Sequence, residues 1–201
     1  EIHPDRQTHA EMQCARQRLW KLIDATPWLD WLLLTKRPEN VVDLAPGDWD
    51  MPRRNVWIGT TAENQKHWDL RVPILKSIPA WTRFVSAEPL LGPIVCGTMP
   101  TTGHPLTRIH PLTGIQQIIV GGESGHGARL MQPEWALSLR DQCHRYGVAF
   151  FFKQTGTVLA TDWGLTDHKG GTISELPEGY RVRQFPTVYQ PAPPQEMSHG
   201  Q

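Results

Sequence analysis

The chain carries five short apolar runs, each closed on its carboxyl side by polar or glycine-rich residues. They are Trp31-Leu32-Leu33-Leu34 before Thr35-Lys36-Arg37-Pro38, Val56-Trp57-Ile58 before Gly59-Thr60-Thr61, and Arg83-Phe84-Val85 before Ser86-Ala87-Glu88-Pro89. Ile118-Ile119-Val120 before Gly121-Gly122-Glu123-Ser124 and Val148-Ala149-Phe150-Phe151-Phe152 before Lys153-Gln154 complete the series. Continuous apolar stretches of this length suit strands buried on both faces, as in a parallel sheet. Their starts lie roughly 25 to 35 residues apart, the length of a βα unit.

Helical sequence fills several of the gaps. Residues 4–25 read as a helix, with Pro4 at a first helical position and Met12, Ala15, Leu19, Leu22 and Ile23 at helical spacing. Ala62 to Arg71 reads as another, which Pro73 interrupts or kinks. Pro133 to Tyr146 is a third, with Trp135, Leu139 and Cys143 in steps of four and Gly147 as its stop. Gly97 to Gly114 is rich in Thr, Pro, Gly and His and reads as an inserted loop. The expected fold is α/β, a partial (β/α) barrel spanning residues 1–156, with an open doubly wound sheet as the alternative. Residues 157–185 read as a short hairpin or irregular cap, and 186–201, with Pro191, Pro193 and Pro194, as a disordered tail.

Composition narrows the function classes. The 201 residues balance 20 Lys and Arg against 20 Asp and Glu, which argues against a polyanion binder held by bulk charge. Hydrophobic residues make up 39 %, enough for a packed core rather than overall disorder. No apolar run approaches the ~18–20 residues that span a bilayer, and no basic-then-apolar leader opens the chain. Cys14, Cys96 and Cys143 lie far apart with no ligand spacing, so a reducing compartment, the cytoplasm, and no metal on this chain are expected.

In either candidate fold the active site lies at the carboxyl ends of the strands. The residues there are Lys36, Arg37, Thr60, Thr61, Glu63, Asn64, Ser86, Glu88, Glu123, Ser124, Lys153 and Gln154. Three carboxylates (Glu63, Glu88, Glu123) face three cations (Lys36, Arg37, Lys153), a balance that suits a zwitterionic or phosphorylated ligand. Two carboxylates within about 5 Å would raise one pKa and make general acid–base catalysis plausible. The structural alternative is a set of ion pairs that only satisfies buried charge.

Gly121-Gly122-Glu123-Ser124-Gly125-His126-Gly127 places four glycines in seven residues directly after a strand. Such a segment lets backbone N–H groups approach a ligand, with Arg129 in reach to clamp a carboxylate or phosphate. It matches neither the dinucleotide nor the Walker pattern. A tight βα turn is its structural reading. Pro89 and Pro38 bias the residues before them toward extended geometry, aiming Glu88 and the Lys36-Arg37 pair from the strand ends. His67, His104, His110 and His126 show no ligand spacing and read as solvated; the nine tryptophans read chiefly as core.

These motifs, in this order, resemble a family. Leu34-Thr35-Lys36-Arg37-Pro38, Trp57-Ile58-Gly59 with Glu63-Asn64-Gln65, and Phe84-Val85-Ser86-Ala87-Glu88-Pro89-Leu90-Leu91-Gly92-Pro93 begin the series. Gly121-Gly122-Glu123-Ser124-Gly125, Ala128-Arg129, Leu139-Arg140-Asp141-Gln142-Cys143 and Phe151-Phe152-Lys153-Gln154 continue it. Across roughly residues 10–156 the chain is similar to the uncharacterised phage and prophage family named after phage gene products thirty-seven and sixty-eight. Complete members of that family resemble radical S-adenosylmethionine enzymes, whose amino-terminal three-cysteine motif holds an iron–sulfur cluster. The resemblance implies a chain that starts after the first two barrel strands, lacks the triplet, and holds no cluster by itself.

By that resemblance the chain would be the carboxy-terminal portion of a radical enzyme acting on an unknown, small-molecule or nucleic-acid-related substrate. Lys36, Arg37, Arg129 and Lys153 would bind anionic groups. Glu63, Glu88 and Glu123 would position substrate or cofactor or move protons, and Thr60, Asn64, Ser86, Gly121, Gly122, Ser124 and Gln154 would complete the pocket. The alternatives are a cluster-free (β/α) hydrolase or lyase using the same carboxylates, and a non-catalytic phage-derived binding module. Exposed sheet edges would favour self-association.

Overall fold

A computed structural model describes residues 9–97 and 110–187. Five parallel strands form one sheet: β1 (Trp31–Thr35), β2 (Val56–Thr61), β3 (Thr82–Ala87), β4 (Gln117–Gly121) and β5 (Ala149–Gln154). They lie in chain order from β1 to β5. That order contains no reversal among the described residues, whereas a doubly wound sheet has one. Each strand sits where an apolar run predicts it, but β2, β3 and β5 also take in the polar residues Thr60, Thr61, Ser86, Lys153 and Gln154.

Helices flank the sheet: α1 (His9–Ala25), α2 (Val41–Leu44), α3 (Gln65–Ser77), α4 (Pro133–Tyr146) and α5 (Thr157–Asp162). The short α2 was not foreseen from the sequence. Pro73 does not interrupt α3, which runs on to Ser77. An internal proline costs about 3 kcal/mol through its missing N–H. Burial of Trp68, Val72 and Leu75 against the sheet outweighs that cost, since each large apolar side chain contributes about 1.5–3 kcal/mol. α4 begins at Pro133 and ends at Gly147, whose φ of 67° is left-handed, and it buries Ala136, Leu139 and Cys143.

Registered neighbours in a parallel sheet point to the same side, so the register sorts the strand residues into two faces. Val56, Ile58, Val85, Ala87, Ile118, Val120, Phe150 and Phe152 lie on the apolar face, in one core cluster with the inward residues of α3 and α4. The opposite face carries Leu32, Leu34, Trp57, Gly59, Thr61, Phe84, Ser86, Gln117, Ile119 and Phe151. Here the Phe84 ring lies directly on Gly59, where an added Cβ would come within 2.3 Å of it.

After β5 and α5 come two short 3₁₀ turns, and Arg183 then bridges Phe151 in antiparallel fashion. Leu159, Leu176 and Tyr180 enter the same core cluster as the sheet. Most of the proposed inserted loop, including His104, the proposed helical residues 4–8, and the tail beyond Thr187 lie outside the described residues. Among the described residues no helix is long and apolar enough to cross a membrane.

Gly59→Ala is expected to lower stability by about 1–3 kcal/mol through overpacking against Phe84. Adding Phe84→Leu should recover at least half of that loss in urea titrations; no coupling between the two changes would contradict the packing described.

Candidate functional site

Parallel pairing brings the carboxyl ends of all five strands to one edge, and three carboxylates form ion pairs there. The first is Glu63, just past β2 and 5 % exposed. Lys36 Nζ, after β1, lies 2.9 Å from its Oε1. Arg71 Nη1, on α3, donates to its Oε2 at 2.9 Å and to the Thr61 carbonyl at 3.0 Å. His67 Nδ1 lies 3.0 Å from the same Oε2 but is not aligned for a hydrogen bond. Burial pushes the Glu63 carboxyl upward, yet the Lys36 hydrogen bond, the backbone and the charges of Lys36 and Arg71 together hold it below its ordinary value.

The second pair joins Glu88, beyond β3, to Lys153 of β5, with Oε2 and Nζ 3.0 Å apart. Glu88 Oε1 is buried without a hydrogen-bond partner. It packs over Gly121 at the end of β4, where an added Cβ would lie 3.0 Å away. The Glu88–Pro89 peptide is cis, and the chain beyond it is tied to both neighbours. Leu90 N–H donates to the Gly121 carbonyl and Leu91 N–H to the Glu63 carbonyl.

The third pair is a fork. Arg129 donates from Nε and Nη2 to the two oxygens of Glu123 at 2.8 and 2.7 Å, and its backbone N–H adds a third bond. These bonds hold the Glu123 carboxyl down to about 2. The charge of Glu63 also acts on Arg129, which places the first and third pairs in one field. Beside the fork Gln154 Nε2 donates to the Gly122 carbonyl at 3.1 Å and to Ser124 Oγ at 2.6 Å.

The glycine-rich segment owes part of its composition to packing. A Cβ on Gly122 would lie 1.9 Å from the Thr155 carbonyl oxygen, so the chain after β4 presses directly on the chain after β5. Gly122 N–H donates to the Gln154 carbonyl and Thr157 N–H to the Glu123 carbonyl, which lock the two segments together.

Thus Glu88, Gly121, Gly122, Glu123, Ser124, Arg129, Lys153 and Gln154 are linked across the ends of β3, β4 and β5, while Lys36 pairs with Glu63 at the ends of β1 and β2. Ser86 is buried beside Thr61 on the same sheet face, and its carbonyl accepts from Ala62 N–H. Two expected ligands have structural work, and a third stands apart. Thr60 lies on the opposite face and donates to the Thr35 carbonyl at 2.9 Å, tying β1 to β2. Asn64 caps α3 by accepting from His67 N–H. Arg37 is exposed, enters none of the ion pairs among the described residues, and lines a groove beside β1.

His67 and Arg71 were overlooked as site residues. His67 and Arg71 lie one turn apart on α3, so one helix face carries both toward the Glu63 carboxylate. His67 is therefore a neighbour of Glu63, not a solvated bystander. Each of the three carboxylates meets a cation. A separate cavity of about 650 Å³, lined by His110, Gln116, His144, Ala149 and Gln184, lies at the opposite ends of β4 and β5.

Cys96 and Cys143 are buried and Cys14 is exposed. Burial pushes both inner thiols up, Cys96 to about 12. Among the described residues no group of three or more His, Cys, Asp or Glu could hold a metal ion.

A carboxylate held down by folding contributes stability that is present above its unfolded value and lost as pH falls through its folded value. For Glu123 that window runs from 4.5 down to about 2. Urea midpoints should fall across this range in the wild type, and fall less steeply in Glu123→Gln. Equal slopes would show that the fork with Arg129 does not persist in solution.

No curated protein and no solved structure matches the chain significantly. A family model described as "Protein of unknown function (DUF5131)" matches residues 7–186, a span that takes in all five strands and all three paired carboxylates. The chain therefore belongs to the DUF5131 family.

Proposed function

We propose that this chain forms the strand-end, ligand-binding portion of a (β/α)-barrel enzyme of phage or prophage type, similar to radical S-adenosylmethionine enzymes. The ligand in this reading is zwitterionic. Parallel strands in chain order, an apolar face under the helices and charged groups gathered at the carboxyl edge support it. Function on such a scaffold is argued from the site, not from the fold.

One observation carries the reading. Glu88 presents a buried carboxylate oxygen with no donor, while Lys153 engages only the other oxygen. A buried acceptor left without a partner costs about 1–3 kcal/mol, more when charged. A ligand ammonium or hydroxyl donating to Oε1 removes that cost. Lys36, with 63 % of its side chain exposed, is available to an anionic group. Glu123, held down to about 2, stays ionised at neutral pH and serves binding and orientation rather than proton exchange.

The cysteines of this chain do not fit an iron–sulfur cluster. A cluster needs thiolates, and burial disfavours the thiolate at Cys96 and Cys143, while Cys14 sits apart on α1. That same feature favours a second reading, a cluster-free (β/α) enzyme or binding module that uses the same rim.

Calorimetric titration of the purified chain with S-adenosylmethionine separates the two. Binding is expected, weakened roughly tenfold to a hundredfold in Glu88→Gln, the loss of one bond to a charged group. No binding by the wild type, or equal binding by the variant, would overturn the first reading in favour of the second.

A further inference from the structure

The cavity of about 650 Å³ at the amino ends of β4 and β5 lies at the far end of the sheet from the charged rim. Small-molecule sites commonly occupy ~300–1,000 Å³. Its walls come from the turn before β4, the end of α4 and residues 184–187, with none from β1 or α1. Each wall is pinned. Lys76 Nζ donates to the Pro111 carbonyl, Gly147 N–H closes α4 on the His144 carbonyl, and Gln184 N–H donates to the Phe150 carbonyl at 2.9 Å.

Two glutamines of the wall are held alike. Gln116 donates its backbone N–H to the Arg83 carbonyl and accepts the Arg83 N–H on Oε1 at 2.7 Å. Gln184 accepts the Phe150 N–H on Oε1 at 3.1 Å. Each amide oxygen is thus committed to a strand, and each Nε2 is left to donate. Neither Nε2 makes a hydrogen bond among the described residues. His110 has the opposite need. Its ring lies flat on Tyr146, with centroids 5.2 Å and planes 6° apart, and its Nδ1 is buried without a partner. A buried nitrogen left unpaired is costly until something meets it. Phe185 adds a further ring to the wall. Among the described residues no Asp, Glu, Lys or Arg lines the cavity. A charged ligand would therefore lose its hydration there without gaining a counter-charge.

We propose that this cavity binds an uncharged planar heterocycle with two carbonyl oxygens and a ring N–H, the edge of a uracil-type base. The carbonyls accept from Nε2 of Gln116 and Gln184, and the ring N–H donates to Nδ1 of His110. The ring itself packs among His110, Tyr146 and Phe185, where aromatic faces and edges attract one another. The cavity shares no residue with the strand-end site, so it stands whether or not that site binds S-adenosylmethionine.

Titration of the nitrogen-15-labelled chain with uracil, followed by nuclear magnetic resonance, should show saturable binding in the millimolar range expected of so small a ligand. The shifts should centre on the side-chain amides of Gln116 and Gln184 and on the backbone of Tyr146 and Gly147. His110→Phe keeps a ring on Tyr146 and removes the nitrogen. It should weaken uracil binding about tenfold, with the far-ultraviolet circular dichroism of the wild type retained. Orotate, the same ring with a carboxylate added, should bind the wild type at least about tenfold more weakly than uracil, a comparison that needs no variant. Absence of saturable shifts with uracil would overturn the proposal. So would shifts centred on Lys153 and Gln154, equal binding by a folded His110→Phe, or orotate binding as tightly as uracil.

Discussion

Backbone hydrogen bonding between five parallel strands forces their carboxyl ends to one edge, and the charged groups of this chain become neighbours because of it. Lys36 and Glu63 are 27 positions apart and Glu88 and Lys153 are 65 apart, yet each pair is in contact. No local feature of the sequence could bring them together. The ladder also sets the two faces of the sheet, so that apolar residues meet the helices while Thr61, Ser86 and Gln117 lie on the other side. The parallel ladder is therefore both the frame of the core and the device that assembles the rim.

At that rim, electrostatics favours order over proton transfer. Every carboxylate singled out is held by a cation, and two of the three are kept below their ordinary range. Groups so held are poor bases near neutrality. They are well suited to orienting a charged ligand, because each already has its rotamer fixed by a partner. Glu88 differs from the other two in leaving one oxygen without a donor. Glu63 differs in collecting more cationic partners than its single charge balances, from α3 as well as from β1.

The strands were legible because each is an apolar run with a polar stop, and α4 because Pro133 and Gly147 mark its ends. Pro73 misled because propensity is local while the burial of Val72 and Leu75 is tertiary. Thr60 and Thr61 look equivalent in the sequence. The alternation of a strand sends them to opposite faces, and only Thr61 reaches the carboxylate. Asn64 resembles a ligand because it follows Glu63, but it stands where a helix needs a cap. The spacing of His67 and Arg71 was readable as one helix face, and the reading of His67 as solvated missed it. The contact of the segments beyond β4 and β5 had no sequence signal beyond the glycines themselves.

That contact has a mechanical consequence. With Gly122 seated on the Thr155 carbonyl and Gly156 against Glu123, no side chain separates the two backbones. Neither segment can swing on a hinge of its own. A displacement at Lys153 and Gln154 reaches Glu123 and its arginine fork through directly packed and hydrogen-bonded backbone. The site thus behaves as a rigid jaw on its β4–β5 side, and adaptation to a ligand falls to the long side chain of Lys36 on the other.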